Sequence, residues 1–226
     1  NRMGNLIPWD FSVIPLKFHL FAQAAGYTIF ISFFGILAGT VSGLFVSLMK
    51  ISKNKVVSGI ASVYIFVIRG TPLLLQLFII YYGLIALVAI PPLLSAIIAL
   101  GFHNGAYIAE IFRGSIQSIH YGQMEAALSL GLTKPKAMVR IILPLAFKRA
   151  VPPLGNQFII ALKDSSLAST IAVPELLLRG RQMGASSFQY MEMLIIVAIW
   201  YLLMTGVFSL IIHRIETKLK VSDREQ

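Results

Sequence analysis

The sequence predicts an all-α membrane protein with about five transmembrane helices, because it is apolar, carries little charge and has a suitable length. Of its 226 residues, 57% are hydrophobic and 12% are charged, and the mean hydropathy is +0.81. A soluble domain carries about 25% charged residues, so this composition excludes disordered and fibrous proteins and nearly every soluble enzyme. One span needs roughly 20 apolar residues and a connection, which leaves room for five or six spans and no large soluble domain.

The apolar stretches divide the chain into three parts. Residues 1–24 are too polar to span a bilayer, and we expect an interfacial amphipathic segment with Trp9 and Phe11 at headgroup depth. Residues 25–213 form a single transmembrane domain interrupted by a polar loop over about 113–149, and 214–226 form a tail. The predicted spans cover about 25–49, 72–88, 93–112, 151–162 and 190–212.

Basic residues are concentrated in three connecting segments, and the net charge is +10. These segments follow the first span, fill the 113–149 loop and form the tail, which contains Lys220 and Arg224. The positive-inside rule assigns such segments to the cytoplasm, and it accounts for the charge better than a nucleic-acid partner does. We therefore predict a lipid bilayer, an outer N-terminus and an inner C-terminus. The smaller outer set of basic residues is Arg2, Lys17, Lys163, Arg179 and Arg181.

Three glycines line one face of the first predicted span. Gly35, Gly39 and Gly43 are spaced four residues apart, and such a row lets another helix backbone approach closely. That helix belongs either to the same chain or to a neighbouring subunit, and the sequence leaves both open.

A break interrupts the second apolar stretch at Arg69-Gly70-Thr71-Pro72. Proline removes a backbone donor and disfavours helix at the residue before it. We predict a helical segment over 56–68, a break, and a span over about 72–88.

Familiar catalytic motifs are missing from the sequence. It has no cysteine, which excludes disulfides, thiolate metal sites and cysteine nucleophiles. It also lacks a phosphate-binding loop, a zinc-binding H-E-x-x-H and a G-x-S-x-G nucleophile elbow. We therefore expect a protein that is not an enzyme, with no metal or cofactor of its own. An ATP-independent carrier or channel is the alternative to an ATP-driven transporter at this point.

The polar loop carries the most specific signal. It contains Glu125-Ala126-Ala127, then Gly131, then Ile141 and the pair Leu143-Pro144, which reads E-A-A-x3-G-x9-I-x-L-P. Gly131 is suited to a left-handed helix C-cap. The negative charge of Glu125, near the start of this helix, is favoured by the helix dipole. Small alanines permit close approach of another protein.

This pattern resembles the coupling loop of permease subunits of ABC importers, and the resemblance covers about residues 20–220. The flanks are similar to the polar amino-acid uptake subfamily of cystine, glutamine and arginine permeases: Arg69-Gly70-Thr71-Pro72-Leu73, Ala106-Tyr107-Ile108-Ala109-Glu110 and Lys163-Asp164-Ser165-Ser166-Leu167. Val173-Pro174-Glu175-Leu176 and Pro152-Pro153-Leu154 look most similar to cystine permeases. The implied architecture is the type I ABC importer permease fold with a cytoplasmic coupling helix.

The resemblance implies a set of partners in the cytoplasmic membrane of a bacterium. Two ATP-binding cassette ATPase subunits would bind ATP and Mg, and a second permease copy would complete the pore, with a homodimer favoured over a heterodimer. An extracytoplasmic binding protein would deliver the amino acid. Coupling to the ATPase is implied for five residues of the loop: Gln123, Glu125, Ala126, Ala127 and Gly131.

Ionisable residues inside the spans are the candidate substrate ligands, because buried charges are costly and usually face a cavity. Arg69 can hold an amino-acid carboxylate through two hydrogen bonds, and Glu110 or Asp164 can take its ammonium. The alternative is that Arg69 and Glu110 pair with each other or with backbone groups and only join helices. Lys163 is a further candidate, and residues that would fix orientation are Thr71, Gln76, Asn104, Tyr107, Ser165 and Ser166.

Overall fold

The protein is a bundle of helices. A computed structural model describes residues 9–85 and 87–224, with side chains to residue 219. Arg2 and the side chains of Lys220 and Arg224 lie outside this part. The described part contains no strand, in agreement with the predicted fold class. Its helices are α1 (Val13–Lys17), α2 (Ala22–Lys50), α3 (Lys55–Gly70), α4 (Leu73–Phe78), α5 (Pro92–Gln117), α6 (Tyr121–Ser129), α7 (Lys134–Ala137), α8 (Leu143–Asp164), α9 (Leu176–Ser187) and α10 (Tyr190–Arg224).

Short turns of other helix types join some of these helices. A 3₁₀ turn over Phe18–Phe21 joins α1 to α2, and another over Ser165–Ile171 follows α8. A π-helical turn over Ile79–Gly83 extends α4, and a second over Met138–Ile142 joins α7 to α8. Within the described residues, three helical stretches are long and apolar enough to cross a bilayer, Val13–Lys50, Pro92–Gln117 and Tyr190–Leu219. If the bent pair of α3 and the extended α4 is counted as one span, the number is four.

Two of the predicted spans differ from the structure. After the break, helix continues only over Leu73–Gly83, which is about 16 Å at 1.5 Å per residue and too short to cross a bilayer alone. The predicted span over 72–88 is therefore wrong, and this segment forms with α3 either a broken span or a re-entrant loop. The predicted span over 151–162 is part of the longer helix α8, which has 22 residues and begins at Leu143. Because α8 carries Lys148 and Arg149, it is not among the strongly apolar helices, and its crossing of the bilayer stays a prediction.

The N-terminal segment leads directly into the bundle. Residues from Val13 onward are helical and pack against α10. The Phe18 ring stacks on Trp200 with the ring centroids 4.8 Å apart, and the Trp200 indole N–H donates to the Phe18 carbonyl. Trp9 and Phe11 remain exposed, so the interfacial position of these two rings stays a prediction.

The glycine row of α2 packs against α5 of the same chain. Gly35 faces Leu100, Gly39 lies against Gly101 and Gly105, and Gly43 contacts Ile108 and the carbonyl of Gly105. A Cβ atom at Gly43 would lie 2.8 Å from that carbonyl oxygen, which no real side chain tolerates without movement. The row therefore serves packing within the chain, and the sequence alone had left this question open.

A buried carboxylate anchors α9. Glu175 is fully buried, and its oxygens accept hydrogen bonds from the backbone N–H groups of Leu177 and Leu178 and from the Tyr201 hydroxyl. The backbone N–H of Leu176 donates to the Thr28 hydroxyl. Glu175 is thus the N-cap of α9, and these bonds tie α9 to both α2 and α10.

The α2–α5 contact gives a first prediction. Gly43→Ala should destabilise the protein by about 1–3 kcal/mol, because the added methyl overpacks a closed contact. Gly59→Ala is the matched control, since a Cβ at Gly59 of α3 meets nothing within 4 Å and alanine favours helix. Thermal unfolding in detergent measures both. Equal melting temperatures for the two variants would contradict the close packing.

Glu175 gives a second prediction. Burial raises the pKa of its carboxyl to about 7 from an ordinary 4.5, although the hydrogen bonds from Leu177, Leu178 and Tyr201 act in the opposite direction. The folded state therefore holds this proton more tightly than the unfolded state, and the Glu175 contribution to stability falls as pH rises from about 4.5 to about 7. Thermal unfolding measured at pH 5 and pH 8 should differ less in Glu175→Gln than in the unaltered chain. Parallel pH profiles would contradict this.

Candidate functional site

The break between α3 and α4 is held by polar side chains. The two helix axes differ by 104°, and Thr71 between them is extended, as expected before proline. The Gln76 amide donates to the carbonyls of Ile68 and Thr71 at 2.8 and 3.1 Å and to the Thr71 hydroxyl at 2.8 Å. Its oxygen lies 3.2 Å from Nδ1 of His103. Thr71 and Gln76 thus satisfy the backbone groups that the break leaves free.

Arg69 lines an open cleft of about 840 Å³. Its guanidinium carbon lies 5.1 Å from the centre of the Tyr107 ring, a cation–π contact. Among the described residues, no carboxylate lies within salt-bridge distance of Arg69. The side chains around the cleft come from the end of α2, from α3 and from α5, and the polar ones are Lys50, Ser62, Arg69, Tyr107, Glu110, Arg113 and Gln117.

Glu110 is paired with Arg113, one turn further along α5. Nη2 of Arg113 lies 2.7 Å from Oε2, and its Nε lies 3.1 and 3.2 Å from the two carboxylate oxygens. The expected alternative, an Arg69–Glu110 pair, is therefore wrong. Arg113 and Lys50 were missed as cleft residues because their position in the sequence pointed to the cytoplasmic ends of helices. The three-residue spacing of Glu110 and Arg113 could have suggested the pair.

Asn104 lies inside the bundle. It is fully buried, its amide donates to the Leu100 carbonyl, and its oxygen accepts from the Gln157 amide at 2.8 Å. This buried pair joins α5 to α8 with its hydrogen bonds satisfied. Asn104 does not line the cleft.

The 163–166 segment lies at the end of α8. Lys163 is exposed, and Ser165 is buried with its hydroxyl donating to the Leu162 carbonyl. None of Lys163, Asp164, Ser165 and Ser166 lines the Arg69 cleft. Of the ten predicted substrate residues, the structure brings together Arg69, Tyr107 and Glu110.

A short helix in the polar loop carries the E-A-A pattern. Helix α6 begins after His120, whose Nδ1 accepts a hydrogen bond from the Gly122 backbone at 3.1 Å. It ends at Ser129, and Gly131, two residues further along, has φ +83°. The N–H groups of Gly131 and Leu132 return to the carbonyls of Leu128 and Ala127, which is a Schellman cap. The left-handed conformation predicted for Gly131 is confirmed.

The two alanines of α6 face in different directions. Ala127 is 1% exposed and packs inside the chain, whereas Ala126, Glu125 and Gln123 are exposed. The expectation that both alanines permit close approach of a partner is therefore wrong for Ala127. Glu125 is the fifth residue of α6 and so lies just beyond the first turn, within which the helix dipole acts. Leu130, at the end of α6, is 83% exposed.

Comparison with known proteins identifies the family. Residues 33–221 match the model of the family described as binding-protein-dependent transport system inner membrane component. The chain belongs to this family. It is therefore a component of a bacterial inner-membrane transporter rather than an enzyme, and ATP hydrolysis belongs to a separate subunit. The prediction of a permease subunit of an amino-acid ABC importer is confirmed. The described residues contain no cluster of side chains that could hold a metal ion.

Individual relatives match along almost the whole chain. The glutamine transport system permease protein GlnP of Escherichia coli (strain K12) is 39% identical over 216 residues, which cover 94% of this chain and 99% of that protein. The L-cystine transport system permease protein TcyB of Bacillus subtilis (strain 168) is 40% identical over 219 residues, which cover 96% of this chain and 93% of that protein.

Solved structures show the same fold. A crystal structure of an amino acid ABC transporter with histidines superposes with a TM-score of 0.87 at 39% identity, covering 94% of this chain and 100% of that one. The MetNI methionine ABC transporter in an inward-facing conformation gives a TM-score of 0.70 at 19% identity, covering 89% of this chain and 98% of that one. At that identity the likeness concerns the fold, and the predicted type I importer fold is confirmed.

The cap of α6 gives a third prediction. His120→Ala should open α6 at its N-terminus, because loss of an N-cap acceptor costs about 1 kcal/mol. His120→Asn supplies another side-chain acceptor and should restore protection. Amide hydrogen exchange of the peptides covering α6 measures the effect. Unchanged exchange in His120→Ala would contradict a capping role.

Proposed function

We propose that this chain binds a polar amino acid in the Arg69 cleft and that Arg69 holds the substrate carboxylate. The observation that carries the proposal is the free guanidinium of Arg69, because the nearby carboxylate of Glu110 is already engaged by Arg113. A guanidinium can grip a carboxylate through two parallel hydrogen bonds. The cation–π contact with Tyr107 would hold Arg69 in a fixed orientation before the substrate arrives.

The cleft has a charge balance that suits the acidic end of an amino acid. Lys50, Arg69 and Arg113 surround a single carboxylate, so an added carboxylate reduces the net charge of the cleft. The substrate ammonium has two candidate partners, Glu110 within the cleft and Asp164 outside it. The roles of Lys163, Ser165 and Ser166 as substrate ligands stay predictions. Thr71, Gln76 and Asn104 make hydrogen bonds within and between helices, which would position the helices around the substrate.

The proposal extends to the class of polar amino acids and no further. Relatives named for glutamine and for L-cystine are 39% and 40% identical to this chain, so overall identity does not favour either substrate. The motif that favoured cystine, Val173-Pro174-Glu175-Leu176, contains the buried cap of α9. Glu175 therefore has a role in folding, and the likeness to cystine permeases stays a prediction.

We further propose that α6 is the contact with the ATPase, which would bind ATP and Mg. Its exposed surface carries Tyr121, Gln123, Glu125, Ala126 and Leu130. A helix with a capped end and an exposed apolar tip is suited to a cleft on another protein. The assembly would contain two ATPases, a second copy of this permease and a binding protein outside the membrane. The coupling loop and C-terminus would then face the cytoplasm and the N-terminus the outside.

Transport would follow from a shift between two conformations. ATP binding can favour one state only if the ATPase contact differs in free energy between the two states. Movement of α6 would alter the cleft through α5 and α8, because the α6 loop connects these two helices and packs against them.

The substrate role of Arg69 gives a fourth prediction. Arg69→Ala should lower substrate uptake by the complete transporter about 10- to 100-fold, the effect of losing roughly 1.5–3 kcal/mol of charge-assisted hydrogen bonding. Assembly should not change, and stability should fall by no more than about 1 kcal/mol, since among the described residues Arg69 makes no ion pair and loses only its contact with the Tyr107 ring. Uptake into proteoliposomes with the binding protein and ATP measures the effect. The matched control is Lys53→Ala, an exposed cation outside the cleft. Loss of folding in Arg69→Ala, or normal uptake, would contradict the role.

The coupling role of α6 gives a fifth prediction. Ala126→Leu adds bulk to an exposed position of α6 and keeps a strong helix former. The variant should therefore fold normally but lose co-purification of the ATPase and ATP-driven uptake. Affinity purification from mild detergent, together with thermal unfolding, separates loss of docking from loss of folding. Normal ATPase recovery and normal uptake would contradict the proposal.

A further inference from the structure

A polar cavity lies between the beginnings of α2 and α9, at the end of α2 remote from the Lys50 cleft. It has a volume of about 220 Å³. Its polar lining comes from Gln23 and Tyr27 of α2 and from Arg179 and Gln182 of α9, and no acidic side chain lines it. The cavity therefore presents hydrogen-bond donors and one positive charge.

Among the described residues that line this cavity, Arg179 is the only one with a charge. It is exposed and lies in the first turns of α9. Within the described part of the chain, no carboxylate lies within salt-bridge distance of its guanidinium. An arginine without a carboxylate partner is suited to a phosphate, which it can bind through two hydrogen bonds.

An apolar groove continues from this cavity along α2. The groove has a volume of about 250 Å³ and shares Gln23 and Tyr27 with the cavity. Beyond them it is lined by Gly26, Phe30 and Leu93. A side chain at Gly26 would meet no atom within 4 Å, so the groove is open there. From Gln23 to Phe30 it follows α2 for about 10 Å toward the middle of the span.

We propose that the cavity and the groove together bind one anionic phospholipid. The phosphate would lie against Arg179, with Gln23, Tyr27 and Gln182 as further donors, and an acyl chain would follow the groove past Gly26. A free phosphate would leave the apolar groove empty, and a neutral lipid would leave Arg179 without an anion. Only an amphiphile with a negative headgroup matches both halves of the site. Gln23 and Tyr27 lie in the N-terminal half of the candidate span Val13–Lys50, so a lipid in the groove would run along a helix that is suited to a bilayer.

The test compares two arginines of α9. The complete transporter is stripped of lipid in mild detergent and supplied with phosphatidylglycerol, with phosphatidylcholine or with inorganic phosphate. Native mass spectrometry counts retained lipid, and thermal unfolding measures stabilisation. Arg179→Gln removes the cavity charge, and Arg181→Gln makes the same change at an exposed residue of α9 that does not line the cavity.

We expect phosphatidylglycerol to stay bound and to raise the melting temperature of the unaltered chain and of Arg181→Gln. Arg179→Gln should bind phosphatidylglycerol at least about tenfold more weakly, equivalent to 1.4 kcal/mol. Its melting temperature in phosphatidylcholine should match that of the unaltered chain, which excludes misfolding. Gly26→Leu should also weaken binding by filling the groove, and Gly59→Leu should not, since Gly59 is equally open but lies on α3.

Three results would overturn the proposal. One is equal phosphatidylglycerol retention by Arg179→Gln and Arg181→Gln. Another is equal retention of phosphatidylcholine, which would mean that headgroup charge is not recognised. The third is full stabilisation by inorganic phosphate without lipid, which would identify the ligand as a soluble anion.

Discussion

The close contact between α2 and α5 is the constraint on which the other parts of the structure depend. Glycines on both helices let the backbones approach until Gly43 touches the carbonyl of Gly105. Without a hydrophobic force between helices in lipid, such close packing is what holds spans together. It fixes α5, and α5 carries Tyr107, Glu110 and Arg113, so the position of the cleft follows from this contact.

The chemistry of the cleft depends on which of its cations pairs with the carboxylate of Glu110. Arg113 is one turn from Glu110 on the same helix, so the pair forms without any movement of helices. Arg69 comes from a different helix that ends at a break, and its guanidinium rests over the Tyr107 ring. A local pair thus satisfies Glu110 and leaves Arg69 free for a ligand. The break itself is stable because Gln76 satisfies the carbonyls of Ile68 and Thr71.

The sequence predicted local features well where one residue type dictates the geometry. Gly131 required a left-handed C-cap and Pro72 required a break, and both are present. Predictions failed where a contact outside the motif decides the outcome. Glu125 and Ala127 were assigned by motif, but the start of α6 is set by the His120 cap and the burial of Ala127 by packing of the loop.

By itself, the sequence determined the membrane class, the all-helical fold and the family, because hydropathy and the E-A-A spacing are properties of the chain in one dimension. Only the tertiary structure decided that the α2 glycines pack within the chain, that Arg69 of α3 forms no ion pair with Glu110 of α5, and that seven of the ten predicted ligands lie outside the cleft. Each depends on which helices become neighbours and at what crossing. Side-chain pairing across helices is set by that geometry, and residue order along the chain does not encode it locally.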